Sequence, residues 1–593
     1  MTPEPSPSPT QLIIPSPGAV TWDIVAQWVA IGILIACTVA VIFFVFNYLP
    51  KVKKIKPFYA SIAAVAVLGG VFAFLLPVAF NSGFGKDDDG RVLRQLILYT
   101  TGGLLGVITL GETHRKNNQE KEKNENDHTR QVHTERRSRY TKAVEQLGDK
   151  KATVRLGGIY TLVGLVDEWL SDGTLDSEEQ QKEGQVIINN LCSYIRSPFP
   201  TAEKIEEYEA RKELEELEGK EPEILNAEKS LRLKALQTRF NESDEYKKPE
   251  DITTDYTKLH EEQDVRRAIF EEMSKRSKVS VDKSEEVTVT PGAWSTFEFD
   301  FSRAPIFYPL NNLTIEQGQF SSARFYGEAD FRDTEFTKDA DFGGTQFTGG
   351  AHFRGAQFTG GAHFRDAKFT GGVHFIGAKF TGYANFRDAK FNRYANFLGS
   401  EFTGSVNFRD AKFTGNANFR GAQFTGGAHF RNTKFTENAH FRNTKFTGNA
   451  HFRNTKFTEN AHFRGAQFTG NAYFKDTKFT ENAHFMDTKF TGETNFIGVY
   501  FEKYAPTFVD ASGSARFSAH VIQKDYIFSV RKGSKPIRCG TTALPPMSFT
   551  MIPLGAVLFD PDSWDEEKQE YTRISDPAEP LDKSDEVEEN KSE

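Results

Sequence analysis

Cysteine is almost missing: Cys37, Cys192 and Cys539 are the three in a chain of 593 residues. Their wide separation excludes a Cys-x-x-Cys metal knuckle and a disulfide framework, and it fits a reducing compartment for the soluble bulk. Also missing are a Gly-Lys-Ser/Thr phosphate loop, a His-Glu-x-x-His helix, a nucleophile elbow and grouped Cys/His ligands. Nothing here points to an enzyme, so no catalytic, cofactor-binding or metal-ligating residue is assigned. Residues 1–18 are rich in Pro and Ser and hold no Lys or Arg. Without a basic start they do not read as a cleavable signal, and they cannot bury a core. Residues 1–23 are expected to be a disordered tail.

Charge then disappears for two long stretches, 24–50 and 58–85. Both exceed the roughly 20 residues that cross a bilayer. A third run, 95–111, is shorter and sits at the low edge of spanning length. Loop charges decide for it. Lys51, Lys53, Lys54 and Lys56 separate the first two runs, and Arg115, Lys116, Lys121 and Lys123 follow the third. Basic loops stay inside, and only three spans satisfy both. The expectation is a multi-pass protein of the plasma (inner) membrane, N-terminus outside, with the large C-terminal region in the cytoplasm. Gly102 and Gly106 form a Gly-x-x-x-Gly in the third run, which would let helices approach closely. Residues 112–138 are nearly all polar and read as a juxtamembrane linker or a solvated helix.

From 323 to 501 one short phrase repeats. Phenylalanines stand at 353, 358, 364, 369, 375 and 380, spaced alternately five and six residues, and this phasing holds from Phe325 to Phe501. A small residue lies two before each: Ala356, Ala362, Val373, Ser400, Thr433, Thr444. So long a fixed period means stacked repeats that touch only their neighbours. In a strand, residues two apart share a face, so Phe358 and Ala356 point inward while Gln357 and Thr359 point outward. Gly, Asn or Asp follows at each corner, where positive φ and local side-chain bonding are tolerated. Four such sides predict a square coil of about 22 residues, repeated about eight times at a rise of about 4.8 Å.

Ala384-Asn385-Phe386-Arg387-Asp388 and Ala417-Asn418-Phe419-Arg420-Gly421 resemble the phrase of the pentapeptide-repeat proteins, usually Ala-(Asp/Asn)-Leu-x-x. The resemblance implies a right-handed quadrilateral parallel β-helix. Phe replaces Leu at every centre and alternate units carry one extra residue, which implies a wider or bulged coil. The segment from Arg139 through Gly148 to Tyr160 is similar to one that precedes the repeats in membrane-anchored actinobacterial members.

Around the repeat, helical spacing of Val144, Leu147, Val154, Leu156, Ile159 and Leu162 predicts a small helical domain over 139–200. Residues 201–280 read as a charged helical insertion, with Glu207–Arg211 and Arg211–Glu215 four apart as on a solvated, coiled-coil-like helix. Within it, 264–273 reads as a short amphipathic helix. Residues 281–322 are expected to cap the solenoid at its start and 502–560 at its end. Residues 561–593 are acidic and expected to be disordered.

Charge on the repeat is basic. From Arg354 to Lys489 there are twenty Lys/Arg and nine Asp/Glu, a net +11. At 22-residue spacing Arg365, Arg387, Arg409, Arg431 and Arg453 form one row, and Lys368, Lys390, Lys412, Lys434, Lys456 and Lys478 another. Some relatives of the resembled family imitate DNA with an acidic rod, and this rod has the opposite sign. These rows favour acidic partners: an acidic protein face, anionic lipid, nucleic acid, a second copy, or the chain's own acidic 562–593 stretch. Histidines 440, 462 and 484 share a column with His352 and His374, interrupted by Asn396 and Asn418. Lacking carboxylate or thiolate partners, this column reads as a solvated ladder rather than a metal site. The function expected is a membrane-tethered scaffold or protein-binding module. The alternatives are a regulator or binder of nucleic acid or of its enzymes, and a membrane-linked sensor.

Overall fold

The computed structural model describes residues 22–43, 57–80, 88–220, 227–241, 246–283, 286–511, 513–545 and 547–580. Most of the N-terminal tail, the loop carrying Lys51 to Lys56, and the acidic residues from 581 onward lie outside the described residues. The chain divides into two units, 1–134 and 135–593.

In the first unit the apolar runs form helices α1 (Trp22–Phe43), α2 (Pro57–Ala79) and α3 (Asp88–Leu147). Three helices are thus long and apolar enough to cross a membrane. The third apolar run is the start of a 60-residue helix, so residues 112–138 are helical rather than an irregular linker. Among the described residues nothing lies within 4 Å of a Cβ placed on Gly102 or Gly106, so no described helix is seated on the Gly-x-x-x-Gly. The close approach is elsewhere: a Cβ on Gly69 of α2 would meet Thr101 of α3 at 2.2 Å.

In the second unit, α3 ends at Leu147, where Gly148 and Asp149 close it, and α4 (Ala152–Leu170) packs on α5 (Ser177–Arg196). Apolar spacing buries Ile159, Leu162, Val166, Ile188, Leu191 and Ile195 between them. Asp176 caps α5 by accepting from Glu179 N, satisfying one orphan donor of its first turn. The charged region resolves into α6 (Pro200–Glu218), α7 (Ala227–Phe240) and α8 (Ile252–Ser277). Helices α6 and α7 bury a small cluster, Ala210, Leu217 and Leu236, and no coiled coil is shown. The short helix expected at 264–273 is part of the 26-residue α8. Its Arg266 is buried and fully engaged. It donates to Glu262 Oε1 at 2.7 Å, Ile195 O at 2.8 Å and Ser197 Oγ at 2.9 Å. Arg155 holds the other Glu262 oxygen at 3.0 Å.

The repeat builds a right-angled parallel solenoid of about nine turns with about 22 residues per coil. Each side of a coil is one two-residue strand, and each strand pairs with its equivalents in the coils before and after it, as Lys434–Phe435 does with Lys456–Phe457. Four sheets result. Side one runs from Pro305–Ile306 to Tyr500–Phe501, and side two from Ala329–Asp330 to Ala483–His484. Side three runs from Thr314–Ile315 to Val557–Phe559, and side four from Gly318–Gln319 to Tyr526–Ile527. A coil visits them in the order one, two, three, four.

The phenylalanines fill the interior. Rings one coil apart stack, as Phe430 and Phe452 do at 4.9 Å and 1°, while rings from opposite sides meet edge-on across the interior, as Phe441 and Phe452 do at 5.5 Å and 88°. Each buried ring contributes about 1.5–3 kcal/mol of transfer free energy. Small residues two before each Phe leave room for it. Where that residue is Thr or Ser it is wholly buried, and from Thr345 to Thr488 its hydroxyl donates to the carbonyl of a Phe in the preceding coil, as Thr444 Oγ1 does to Phe419 O at 2.8 Å. The two corner types differ. Five-residue units turn through a residue with positive φ, such as Asp388 (59°), Asn432 (59°) or Gly421 (65°). Many six-residue units turn on glycine, for a different reason: a Cβ on Gly382 would lie 2.2 Å from the carbonyl oxygen of Gly360 in the coil before.

The ends differ from expectation. Residues 281–322 are not a separate cap: a hairpin (Lys278–Lys283 with Glu286–Pro291) is followed by strands of the first coil from Pro305 onward. The plug is α8, whose Phe270 meets Phe301 at 4.5 Å, and Phe301 meets Phe320 at 5.3 Å. At the far end coiling continues past Phe501, with Phe517 stacked on Phe490 at 4.9 Å and Arg516 to Ser518 paired with Val557 to Phe559. The acidic stretch is structured as far as 580. Trp564–Asp565 pairs with Glu570–Tyr571, and Arg573 holds Asp560 at 2.7 Å.

Candidate interaction surfaces

With the interior filled by rings, outward side chains are what the solenoid offers. Lys368, Lys390, Lys412, Lys434, Lys456 and Lys478 occupy successive strands of side one, in register. Arg365, Arg387, Arg409, Arg431 and Arg453 stand three residues earlier, at the corner between sides four and one. The structure therefore brings the two rows side by side. Their charges are balanced unequally. Arg365, Arg387 and Arg409 lie 3.3, 3.2 and 3.1 Å from the carboxylates of Asp366, Asp388 and Asp410. In the next two coils Asn432 and Asn454 stand in the place of Asp. Lys478 reaches Glu502 at 3.0 Å, whereas Lys368 through Lys456 make no ion pair among the described residues.

Sides two and four carry the histidines. His440, His462 and His484 stack at 4.9 and 5.0 Å, and His429 lies on His451 at 4.8 Å. Burial against flanking coils lowers the pKa of all five. His462 falls furthest, to about 4, because the rings of His440 and His484 and the Arg442 guanidinium add to burial. Mid-ladder, Asn418 Nδ2 donates to Tyr394 Oη at 3.0 Å and to Asn396 Oδ1 at 3.1 Å. These are hydrogen-bonded polar ladders, with Glu328 at one end of side two, 2.7 Å from His352, and Asp510 near the other, its charge acting on His484.

Two features escaped sequence reasoning. One is a second arginine row, Arg420, Arg442 and Arg464, at the corner between sides two and three; the same 22-residue spacing carries it. The other lies near the end of side three, where His520 Nε2 is 3.1 Å from Asp560 Oδ1 and 3.9 Å from Asp562 Oδ2. No local motif joins them, because His520 and the Asp560-Pro561-Asp562 turn meet only through pairing of adjacent strands. Arg573 already neutralises the other Asp560 oxygen.

A family model for pentapeptide repeats in nine copies matches residues 320–368, 364–412, 408–456 and 452–499. These overlapping matches run without a gap from residue 320 to residue 499. Residues 320–499 are pentapeptide repeats. No curated protein and no solved structure matches the chain at a significant level. A pentapeptide-repeat solenoid of this form has the character of a protein-interaction scaffold: its core is closed by stacked rings and its chemistry lies on flat outer sheets.

Proposed function

We infer that the chain is a membrane-tethered scaffold that holds a basic pentapeptide-repeat solenoid in the cytoplasm and binds an acidic protein partner through side one. The observation that carries this reading is the in-register row of six lysines, five of them without an ion pair among the described residues, beside the row Arg365 to Arg453. A flat rank of like charges at strand spacing is self-repelling, and an anionic partner relieves that repulsion. Three apolar helices support the tether, and the basic residues flanking the apolar runs support the orientation. No catalytic role belongs to this reading.

The test uses the full chain in detergent as bait. Proteins retained at low salt and released at high salt by the natural chain, and not retained by K390E/K412E/K434E, support the reading. Equal retention by the variant sinks it. A salt-dependent shift of duplex DNA with no acidic protein retained favours the nucleic-acid alternative instead. A reporter active only in the cytoplasm, fused after Glu593, checks the orientation.

A further inference from the structure

One edge of the solenoid carries a row of three arginines, bounded by Asp487 one coil on, which Arg516 holds at 3.6 Å, and by Glu401 on the side-three strand one coil before. At the corner where side two turns into side three, Arg420, Arg442 and Arg464 succeed one another coil by coil, and Lys445 stands next to them on side three. Arg420, Arg442 and Lys445 are exposed and Arg464 is half-exposed. None of the four has an ion pair among the described residues. Between 411 and 475 the sequence holds ten Lys/Arg and only two acids, Glu437 and Glu459. Both acids sit at the corner between sides one and two, with the whole of side two between them and the arginines.

The chain itself arrives at this edge. Ser575 N donates to Leu558 O at 2.9 Å, Ala578 N to Ala556 O at 2.8 Å, and Gly555 N to Ala578 O at 2.9 Å. Residues 574–578 therefore run antiparallel along the last strand of side three. Strands of side three start at the arginine corner, so this segment travels back toward it. Gly555, with φ of 74°, turns that corner in the last coil as Gly465, Asn443 and Gly421 do in earlier ones. Ala578 thus lies beside the Gly555 corner at the head of the arginine row, and Glu579, the next residue, pairs with Thr541. Residues 581–593 contain six acids, Asp582, Asp585, Glu586, Glu588, Glu589 and Glu593, and two lysines. Five strand steps separate the last strand of side three from the one that follows Arg420, about 24 Å at a strand spacing of about 4.8 Å. Thirteen extended residues reach about 43 Å.

We propose that the acidic segment 581–593 folds back along this edge, with its carboxylates against Arg464, Arg442 and Arg420. The chain then supplies its own anionic ligand, and an acidic partner approaching this edge must displace it. The contact goes beyond the scaffold reading and stands or falls apart from it, since it involves a different row from the lysines of side one.

The test places a photo-activated cross-linking residue at Val587 in the full chain in detergent and maps the products by mass spectrometry. The expected product is an internal cross-link to peptides within 420–467. Its yield falls at least about tenfold, the effect of losing roughly one strong charge contact, in R420Q/R442Q/R464Q and in high salt. It persists in R420K/R442K/R464K and in K390Q/K412Q/K434Q. An unchanged melting transition of the Gln variant shows that the exposed corner side chains were removed without unfolding the coil. Cross-links to the lysine row, cross-links between two chains, a yield indifferent to the arginines, or no cross-link at all would each overturn the proposal.

Discussion

The hydroxyl of Thr433 donates to the carbonyl oxygen of Phe408 at 2.7 Å, inside the wall of the solenoid. It is one of a set of buried hydroxyls that tie one coil to the previous one. Phe408 O also accepts from Ala411 N at 3.1 Å, so the carbonyl keeps a partner when the hydroxyl goes. Ala411 fills the equivalent place in the preceding coil. Thr433→Ala should therefore cost only about 1 kcal/mol, read from denaturant unfolding. A loss several times larger would mean that the hydroxyl does more than bridge two coils.

A mid-stack ring should matter far more. Phe419 lies 4.8 Å from Phe397 and 5.0 Å from Phe441, with planes within 5° of both. Phe419→Ala removes both stacking faces where neighbouring coils cannot close the gap. The expected destabilisation is about 3–5 kcal/mol, while Phe419→Leu, the residue usual in the family, should cost clearly less. Equal losses in the two variants would count against packing as the cause.

Corner geometry makes a third prediction. Asp388 has a φ of 59°, a region that costs an ordinary L-residue about 1–2 kcal/mol and a β-branched one more. Asp388→Gly should be nearly neutral and Asp388→Val should destabilise by about 2 kcal/mol. Thermal melts of the two variants, compared side by side, decide it.

The stacked histidines predict an acid-sensitive limb. A histidine whose pKa is lower in the fold than its unfolded value of about 6.5 binds protons more weakly when folded. Its contribution is complete above that value and is lost as pH falls toward about 4, the value of His462. The triple variant H440N/H462N/H484N, which installs the residue already present at Asn396 and Asn418, should flatten the stability profile between those limits. Nuclear magnetic resonance titration of His462 should give a midpoint near 4. A midpoint near 6.5 would refute the burial argument.

At the plug, Arg266 joins α8 to the end of α5 through Glu262, Ile195 O and Ser197. Arg266→Met leaves Glu262 with Arg155 and Tyr194 as partners and strands two carbonyls. A loss of about 3 kcal/mol is expected, the scale of a broken buried pair. Hydrogen exchange should then quicken in α8 and the first coil before the middle coils.

The middle of this molecule was legible because its period is unbroken. Phe at alternating five and six, with a small residue two before, leaves a square coil as its natural solution. The ends were not legible because tertiary contacts replace the phrase there. Phe270 belongs to a helix by its own spacing, and only packing makes it the first ring of the stack. Phe517 continues the interior after an irregular connection that hides its phase. The charged stretch 201–280 reads locally as a solvated insertion, yet Arg266 within it is buried, since its partners come from carbonyls 69 to 71 residues away. The lysine and arginine rows were visible as spacing. The facing acids at Asp366, Asp388 and Asp410, and their replacement by Asn432 and Asn454, gained meaning only when the corner was seen.

The alternation of two unit lengths has a further effect. Eleven residues carry the chain half-way round the coil, so His374, Asn396, Asn418, His440 and His462 on side two are matched by His363, Asn385, Asn407, His429 and His451 on side four. Opposite flanks of a single chain thus present the same imidazole and amide lettering, displaced by half a turn. A molecule that read it would meet two like berths facing away from each other, and for such a molecule one copy of this protein would have a valency of two.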